Sequence, residues 1–321
     1  MKLATAKDGS RDGQLLVVSR DLSLAHYATG IANTLQQVLD DWSFLSSQLQ
    51  DLSDSLNQGK ARHAFAFDPA RCMAPLPRAY QWAEGSAYLN HAALLDGQAQ
   101  SVPAFPLMHQ GASDEFLGPC DDIRVSSEEL GTDFAAELAV ITGDLGMGCS
   151  PEHALDGVRL VMLANAVSLR QGGQSQAAPA FSPVAVTVDE LGGAWQQGRL
   201  HLALQSSWNG RKVGMCEAGP EMNFHFGQLI AQLCKGRNVR AGSIIGSGAV
   251  SNQGLDDQGR MSWPRGYSCI AEKRAMETLQ DGQPSTPFMK FGDSIRIEMK
   301  DKDGHSIFGA IDQKVVSAQL A

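Results

Sequence analysis

The apolar positions along the chain follow two periods. Between Gly131 and Ile141 they alternate: Phe134, Ala136, Leu138 and Val140 share one side, and Asp133, Ala135, Glu137 and Ala139 share the other. That period of two predicts a strand. Gln14-Leu-Leu-Val-Val-Ser19 predicts another near the start. From about Thr34 to Leu56 the spacing changes to three and four. Leu35, Val38, Leu39, Trp42, Leu45, Leu49 and Leu52 make one apolar stripe, the pattern of a helix packed on a small β-unit. Ala74-Pro-Leu-Pro-Arg78 follows as a stiff linker, because paired prolines oppose helix and favour extended chain. From about Tyr80 onward the pattern is short strands and glycine-rich turns. Two helical signals interrupt it. One is Ser150-Pro-Glu-His-Ala-Leu155, a capped start with proline at the first position; the other runs from Phe224 to Lys235 through Phe226, Leu229, Ile230 and Leu233. No internal repeat is present, and residues Gln171 to Ala180 have the composition of a loop. The expectation is an α+β fold in which β dominates, with a small α+β domain over residues 1–75 and a larger one over 76–321.

Composition narrows the classes. With 43% hydrophobic and 19% charged residues the chain is ordinary globular protein. No apolar run approaches the ~20 residues of a membrane span, and Met1 to Arg11 lacks the apolar core of a secretion signal. A cytoplasmic location is expected. Cys72, Cys120, Cys149, Cys216, Cys234 and Cys269 are scattered with no Cys-x-x-Cys pair, which fits reduced thiols better than a disulfide framework or a zinc site. A net charge of −9 argues against nucleic acid as the main partner.

The candidate chemistry starts at Glu137. It shares its strand face with small apolar residues, so its carboxylate needs a partner, a cation or a proton. Other candidates each carry two readings. His91 is a site histidine or an ordinary loop histidine. His109 lines a pocket or packs beside Phe105 and Met108. Arg170 anchors a carboxylate bidentately or pairs with a local acid. Glu272 is a general base or a surface ion-pair member. Cys269 has no evident base and reads better as a small buried hydrophobe than as a nucleophile. The glycines from Gly242 to Gly248 are turn glycines, since no Gly-Lys-Ser/Thr follows.

Several segments in order resemble the fumarylacetoacetate hydrolase family over nearly the whole chain. They are Ala74-Pro-Leu-Pro-Arg78, Ser86-Ala-Tyr-Leu-Asn-His91, Pro106-Leu-Met-His-Gln-Gly111, the strand around Glu137, Leu163-Ala-Asn-Ala-Val-Ser-Leu-Arg170, Ala241-Gly-Ser-Ile-Ile-Gly-Ser-Gly248 and Phe291-Gly-Asp-Ser-Ile-Arg-Ile-Glu298. The resemblance implies a mixed β-roll behind a small N-terminal domain, and a homodimer. It implies carbon–carbon cleavage beside 1,3-dicarbonyl groups, or related decarboxylation, hydration and isomerisation. In that family a Mg²⁺ or Ca²⁺ ion holds the keto-acid oxygens, and a His–Glu pair activates water.

Carried over residue by residue, half of the implied metal site is missing. Glu84, seven residues before His91, matches the first carboxylate, and Glu137 the third. Ala135 and Ala166 stand where the other two are expected. Of the implied substrate-binding positions, Ser86 and Arg170 remain. His109 replaces a Tyr, Ala249 a Thr, and Gln176, in Gln174-Ser175-Gln176, lies where a loop brings a Lys. Glu272 matches the partner of the catalytic His91. No tightly bound metal is expected, with weak Mg²⁺ or Ca²⁺ binding left open. Three functions follow: a repurposed enzyme that works on an enolisable small molecule by His/Glu acid–base chemistry; a pseudoenzyme that binds a ligand or partner; or a hydrolase whose site has been mutated.

Overall fold

A computed structural model of the chain describes residues 1–96, 103–171 and 177–318. Its organising feature is one long sheet. From edge to edge it runs Phe65–Ala66, Leu24–Tyr27, Gln14–Val18, Lys2–Ala6, Ala185–Thr187, Val158–Asn165, Ala136–Thr142, Ile244–Gly246, Trp82–Gly85 and Met108–Gly111, with Ala180–Phe181 also paired to Val158–Asn165. Neighbours are antiparallel except Ile244–Gly246 and Trp82–Gly85, which are parallel. The first strands therefore continue the same hydrogen-bonded ladder as the rest, through Leu3 opposite Ala185. A second sheet, ordered Arg211–Glu217, Ala203–Trp208, Ser294–Lys300, Ser306–Ser317 and Ile123–Val125, lies beside it.

The alternation around Glu137 is real, and both of its faces are buried. Ala136, Leu138 and Val140 join one hydrophobic cluster with Phe134. Ala135, Ala139 and Ile141 join a second, on the other face. A central strand covered on both sides buries residues of both parities. Gln14–Val18 divides in the same way: Leu16 and Val18 enter the first cluster, Leu15 and Val17 the second. Leu35, Val38, Leu39, Leu49 and Leu56 cover the second face from the helical stretch. Each such side chain contributes about 1.5–3 kcal/mol by leaving water.

Three elements differ from expectation. The helical stretch is two helices, Leu35–Asp40 and Trp42–Asn57, because Asp41 leaves the helical region at φ −130°, ψ 46°. Thr34 caps the first in a reciprocal box with Gln37. Helices Leu89–Asp96 and Ile270–Asp281 appear where strands and loops were expected. Pro151–Asp156 and Phe226–Leu233 lie where their signals placed them. Among the described residues no helix is long and apolar enough to cross a membrane.

Asp133 ties two of these elements together. Its fully buried carboxylate accepts from the Ile270 and Ala271 backbone N–H groups at 2.6 and 3.0 Å, at the start of helix Ile270–Asp281. It also accepts from Arg170 Nε at 3.0 Å. Removing that carboxylate strands two amides and a guanidinium. Asp133→Ala should lower stability by about 2–4 kcal/mol, read as a shifted urea midpoint with an unchanged slope. A midpoint equal to that of the parent would show that the anchor contributes nothing.

Candidate functional site

The site forms where the sheet register brings two carboxyls together. Glu84 lies opposite Gly246 on one side and His109 on the other, and Gly246 lies opposite Ala139. Paired residues point to the same face, so Glu84 and Glu137, two residues before Ala139, converge over Gly246. Only a glycine leaves them room. A Cβ at position 246 would meet the Trp82 ring at 2.5 Å and Glu137 Oε2 at 3.0 Å. Gly248 adopts φ +77° and turns its N–H to Glu137 Oε2 at 3.1 Å.

Glu137 is fully buried, and its carboxyl is hydrogen-bonded to that of Glu84. Burial first, then the neighbouring Glu84 carboxyl, push its titration well above the ordinary 4.5. Glu84 is also raised by burial, while Glu137, His109, His91 and Arg170 pull it back down. The pair thus favours holding a proton, carried on Glu137.

His91 stands on helix Leu89–Asp96 and Glu272 in the first turn of helix Ile270–Asp281. His91 Nδ1 lies 3.8 Å from Glu272 Oε1 and has no hydrogen-bond partner. Glu272 is 1% exposed, so the surface ion-pair reading is corrected: this is a buried carboxylate. Ser251 Oγ donates to its Oε1, and Ser268 N donates to its Oε2 at 3.3 Å. Asn90 Nδ2 donates in turn to Ser251 Oγ at 2.7 Å. The loop reading of His91 is likewise corrected, since a helix carries it. Residue spacing gave no signal for the roles of Ser251 and Asn90.

The remaining candidates are placed as follows. Arg170 pairs with Asp133, and its charge reaches Glu84, Glu137 and Cys269. His109 is exposed on the outer strand opposite Glu84. Ser86 is half-buried directly after Glu84's strand, its N–H donating to Leu107 O at 3.0 Å. Ala249 is buried beside Gly248. Gln176 lies outside the described residues. Cys269 is buried and caps helix Ile270–Asp281, its sulfur accepting from Glu272 N at 3.4 Å. A surface cavity lined by Lys2, Arg20, Asp189, His201, Asp301 and His305 shares none of these residues.

The oxygen donors do not fit a tightly held Mg²⁺ or Ca²⁺. The paired carboxyls of Glu137 and Glu84 offer oxygens that such an ion could take. The opposite wall, however, is methyl. Ala135 and Ala166 are 5% and 7% exposed and belong to one hydrophobic cluster with Ala249 and Cys269. Hard cations need six or more oxygens, and that wall supplies none from its side chains. Asp133 does not compensate, because its oxygens are engaged elsewhere.

Comparisons with known proteins identify the family. Residues 1–78 match the family model described as fumarylacetoacetase N-terminal domain 2, and residues 81–316 match the fumarylacetoacetate (FAA) hydrolase C-terminal model. One curated relative, oxaloacetate tautomerase YisK of Bacillus subtilis (strain 168), is 24% identical over 221 residues, covering 64% of this chain and 71% of its own length. Fumarylacetoacetate hydrolase from Exiguobacterium antarcticum superposes with a TM-score of 0.67 at 17% identity, covering 99% of this chain and 100% of its own. Maleylpyruvate hydrolase from Sphingobium sp. SYK-6, solved with manganese(II) and pyruvate, gives 0.66 at 16% over the same shares. At such identities the structures fix the fold alone, but the family models span nearly the whole chain: it belongs to the fumarylacetoacetate hydrolase family.

Proposed function

We propose that this protein is an enzyme that moves a proton on a small enolisable keto acid or 1,3-dicarbonyl compound, using His91 and Glu272 without a tightly bound metal. The observation that carries it is half-buried His91 beside the buried Glu272, which Ser251 and Ser268 hold, while the oxygen cage next to them is half methyl. The relatives are named as hydrolases and a tautomerase, and a tautomerase needs only proton transfer. Two copies associating as a homodimer belong to the same proposal.

The chemistry needs one base and one place for negative charge. Imidazole is the side chain whose ordinary titration lies nearest neutrality, which suits proton transfer at pH 7. His91 takes the proton from the carbon between the carbonyls. Glu272, 3.8 Å from Nδ1, stabilises the imidazolium that forms. The charge passes to the substrate oxygen as an enolate, and Arg170 is the site's cation. His91 then returns the proton to oxygen or to carbon. Glu84 and Glu137, sharing a proton, carry one negative charge rather than two, which keeps the site from repelling a carboxylate substrate.

His91→Ala should lower keto–enol interconversion of oxaloacetate, assayed in chelator, by ~10²–10⁴-fold. Glu272→Gln should cost less. Equal rates for parent and His91→Ala would end the mechanism; tight binding of a dicarbonyl with no turnover would favour the pseudoenzyme.

Ala135→Glu with Ala166→Asp should create a divalent site around Glu84 and Glu137. Calorimetric titration with Mn²⁺ should then separate the double variant from the parent. Identical isotherms would contradict the convergence of these four positions.

The Glu137 titration also has a stability consequence. A carboxyl raised by folding stabilises fully below its unfolded value, and that stabilisation fades as pH rises through the folded value. Stability should therefore fall as pH rises above about 4.5, the ordinary value. Glu137→Gln, which still accepts from Gly248, should flatten the fall. Parallel melting curves across that range would rule it out.

A further inference from the structure

We propose that His91, Cys269 and Glu272 form a binding site for a borderline-soft divalent cation of the Zn²⁺ class, and that an ion there shuts down proton transfer. The proposal rests on the acid–base reading for its effect on turnover; the binding site itself does not. One ligand atom from each residue lies within 4.8 Å of the other two. In a tetrahedral zinc site the same nitrogen, sulfur and oxygen donors sit about 3.4–3.6 Å apart. Closing that difference takes small side-chain rotations.

The donors are fixed by elements that already pack together. Cys269 and Glu272 are three residues apart at the start of helix Ile270–Asp281, which puts them on one face. Cys269 is further tied by a backbone bridge to Ala135. His91 comes from helix Leu89–Asp96, packed against the same helix. Its Nδ1 is buried and unpartnered, so with the ring proton on Nε2 it presents a lone pair to the group. The carboxylate is oriented from behind by Ser251 and Ser268, as outer groups orient ligands in zinc sites. Burial first, then Asp133 and Glu272, hold the Cys269 thiol protonated while the site is empty, with Arg170 opposing them, so the ion's own charge must draw the proton off. On binding, the thiol proton leaves to solvent and the thiolate pair forms the metal–sulfur bond.

The donor set explains the class of ion. Nitrogen, sulfur and a single carboxylate suit Zn²⁺ and disfavour Mg²⁺ and Ca²⁺. Three protein ligands leave a fourth position open. An ion on the buried Nδ1 keeps the ring proton on Nε2 and takes the Glu272 oxygen that would face the imidazolium, so His91 has no lone pair left for the substrate and metal and catalysis exclude each other.

Calorimetric titration of the chelator-treated protein with ZnCl₂ should show one site per chain. Co²⁺ in its place should give a thiolate-to-metal charge-transfer absorption in the near ultraviolet. Cys269→Ser should weaken zinc binding at least tenfold and abolish that absorption. His91→Ala should weaken zinc binding comparably, and serves if the serine variant fails to fold. Glu84→Gln, which removes a carboxylate of the other cage, should leave both readouts as they are. Unchanged affinity in both the Cys269 and His91 variants, or cobalt bound without the sulfur band, would overturn the site. Zinc bound at one equivalent with oxaloacetate interconversion undiminished would overturn the exclusion. Zinc binding that needs Cys269, with no turnover under any condition, supports the site and counts against the acid–base reading alone.

Discussion

The burial of Glu137 at the centre of the long sheet is the constraint around which the site is arranged. A carboxyl there cannot stay charged and alone, since isolated burial of a charge costs far more than a fold of this size can spare. The neighbourhood supplies three remedies. Gly248 gives one backbone N–H, which its positive φ aims at Oε2. Gly246 withholds a side chain so that the carboxyl fits beside Trp82. Glu84 approaches from two strands away, and the mutual repulsion is relieved by a proton. What would otherwise be a liability becomes a neutral acid beside an anion.

That arrangement suits a family fold that has two carboxyls where the resemblance implies four oxygen ligands. A four-carboxylate site needs its ion to cancel the charge, and losing the ion leaves mutual repulsion. With alanine at 135 and 166, the remaining two carboxyls need only one proton. The methyls do positive work as well. They close a hydrophobic cluster with Ala249 and Cys269 across the cleft wall. Nearby, Asp133 holds Arg170 and the start of helix Ile270–Asp281, and so fixes the helix that carries Glu272.

Much of this was legible in the chain. The alternation from Phe134 to Ile141 sorted into the two clusters as its period requires, and the order of motifs pointed to the family. Failures had local causes. The stripe from Leu35 to Leu52 continues across Asp41, so periodicity could not show the break there. Helix Leu89–Asp96 is short, with no clear apolar stripe, and helix Ile270–Asp281 is mostly polar, so neither produced a helical signal. Misplacing that second helix made Glu272 look like a surface residue, although it is buried under Ser251 and Ser268. The Asp133–Arg170 contact joins residues 37 apart in sequence, and no spacing rule reaches that far.

Metal chelation and proton transfer make unequal demands on a site. Chelation of a hard cation is collective: each lost oxygen weakens the hold, and two of four lost leave a site that water can match. Proton transfer needs one group of suitable basicity and one to orient it. His91 and Glu272 satisfy that minimum and stand on helices braced by contacts independent of the cage. Beside that pair Cys269, bridged through its backbone to Ala135, adds a sulfur to the nitrogen and oxygen of His91 and Glu272.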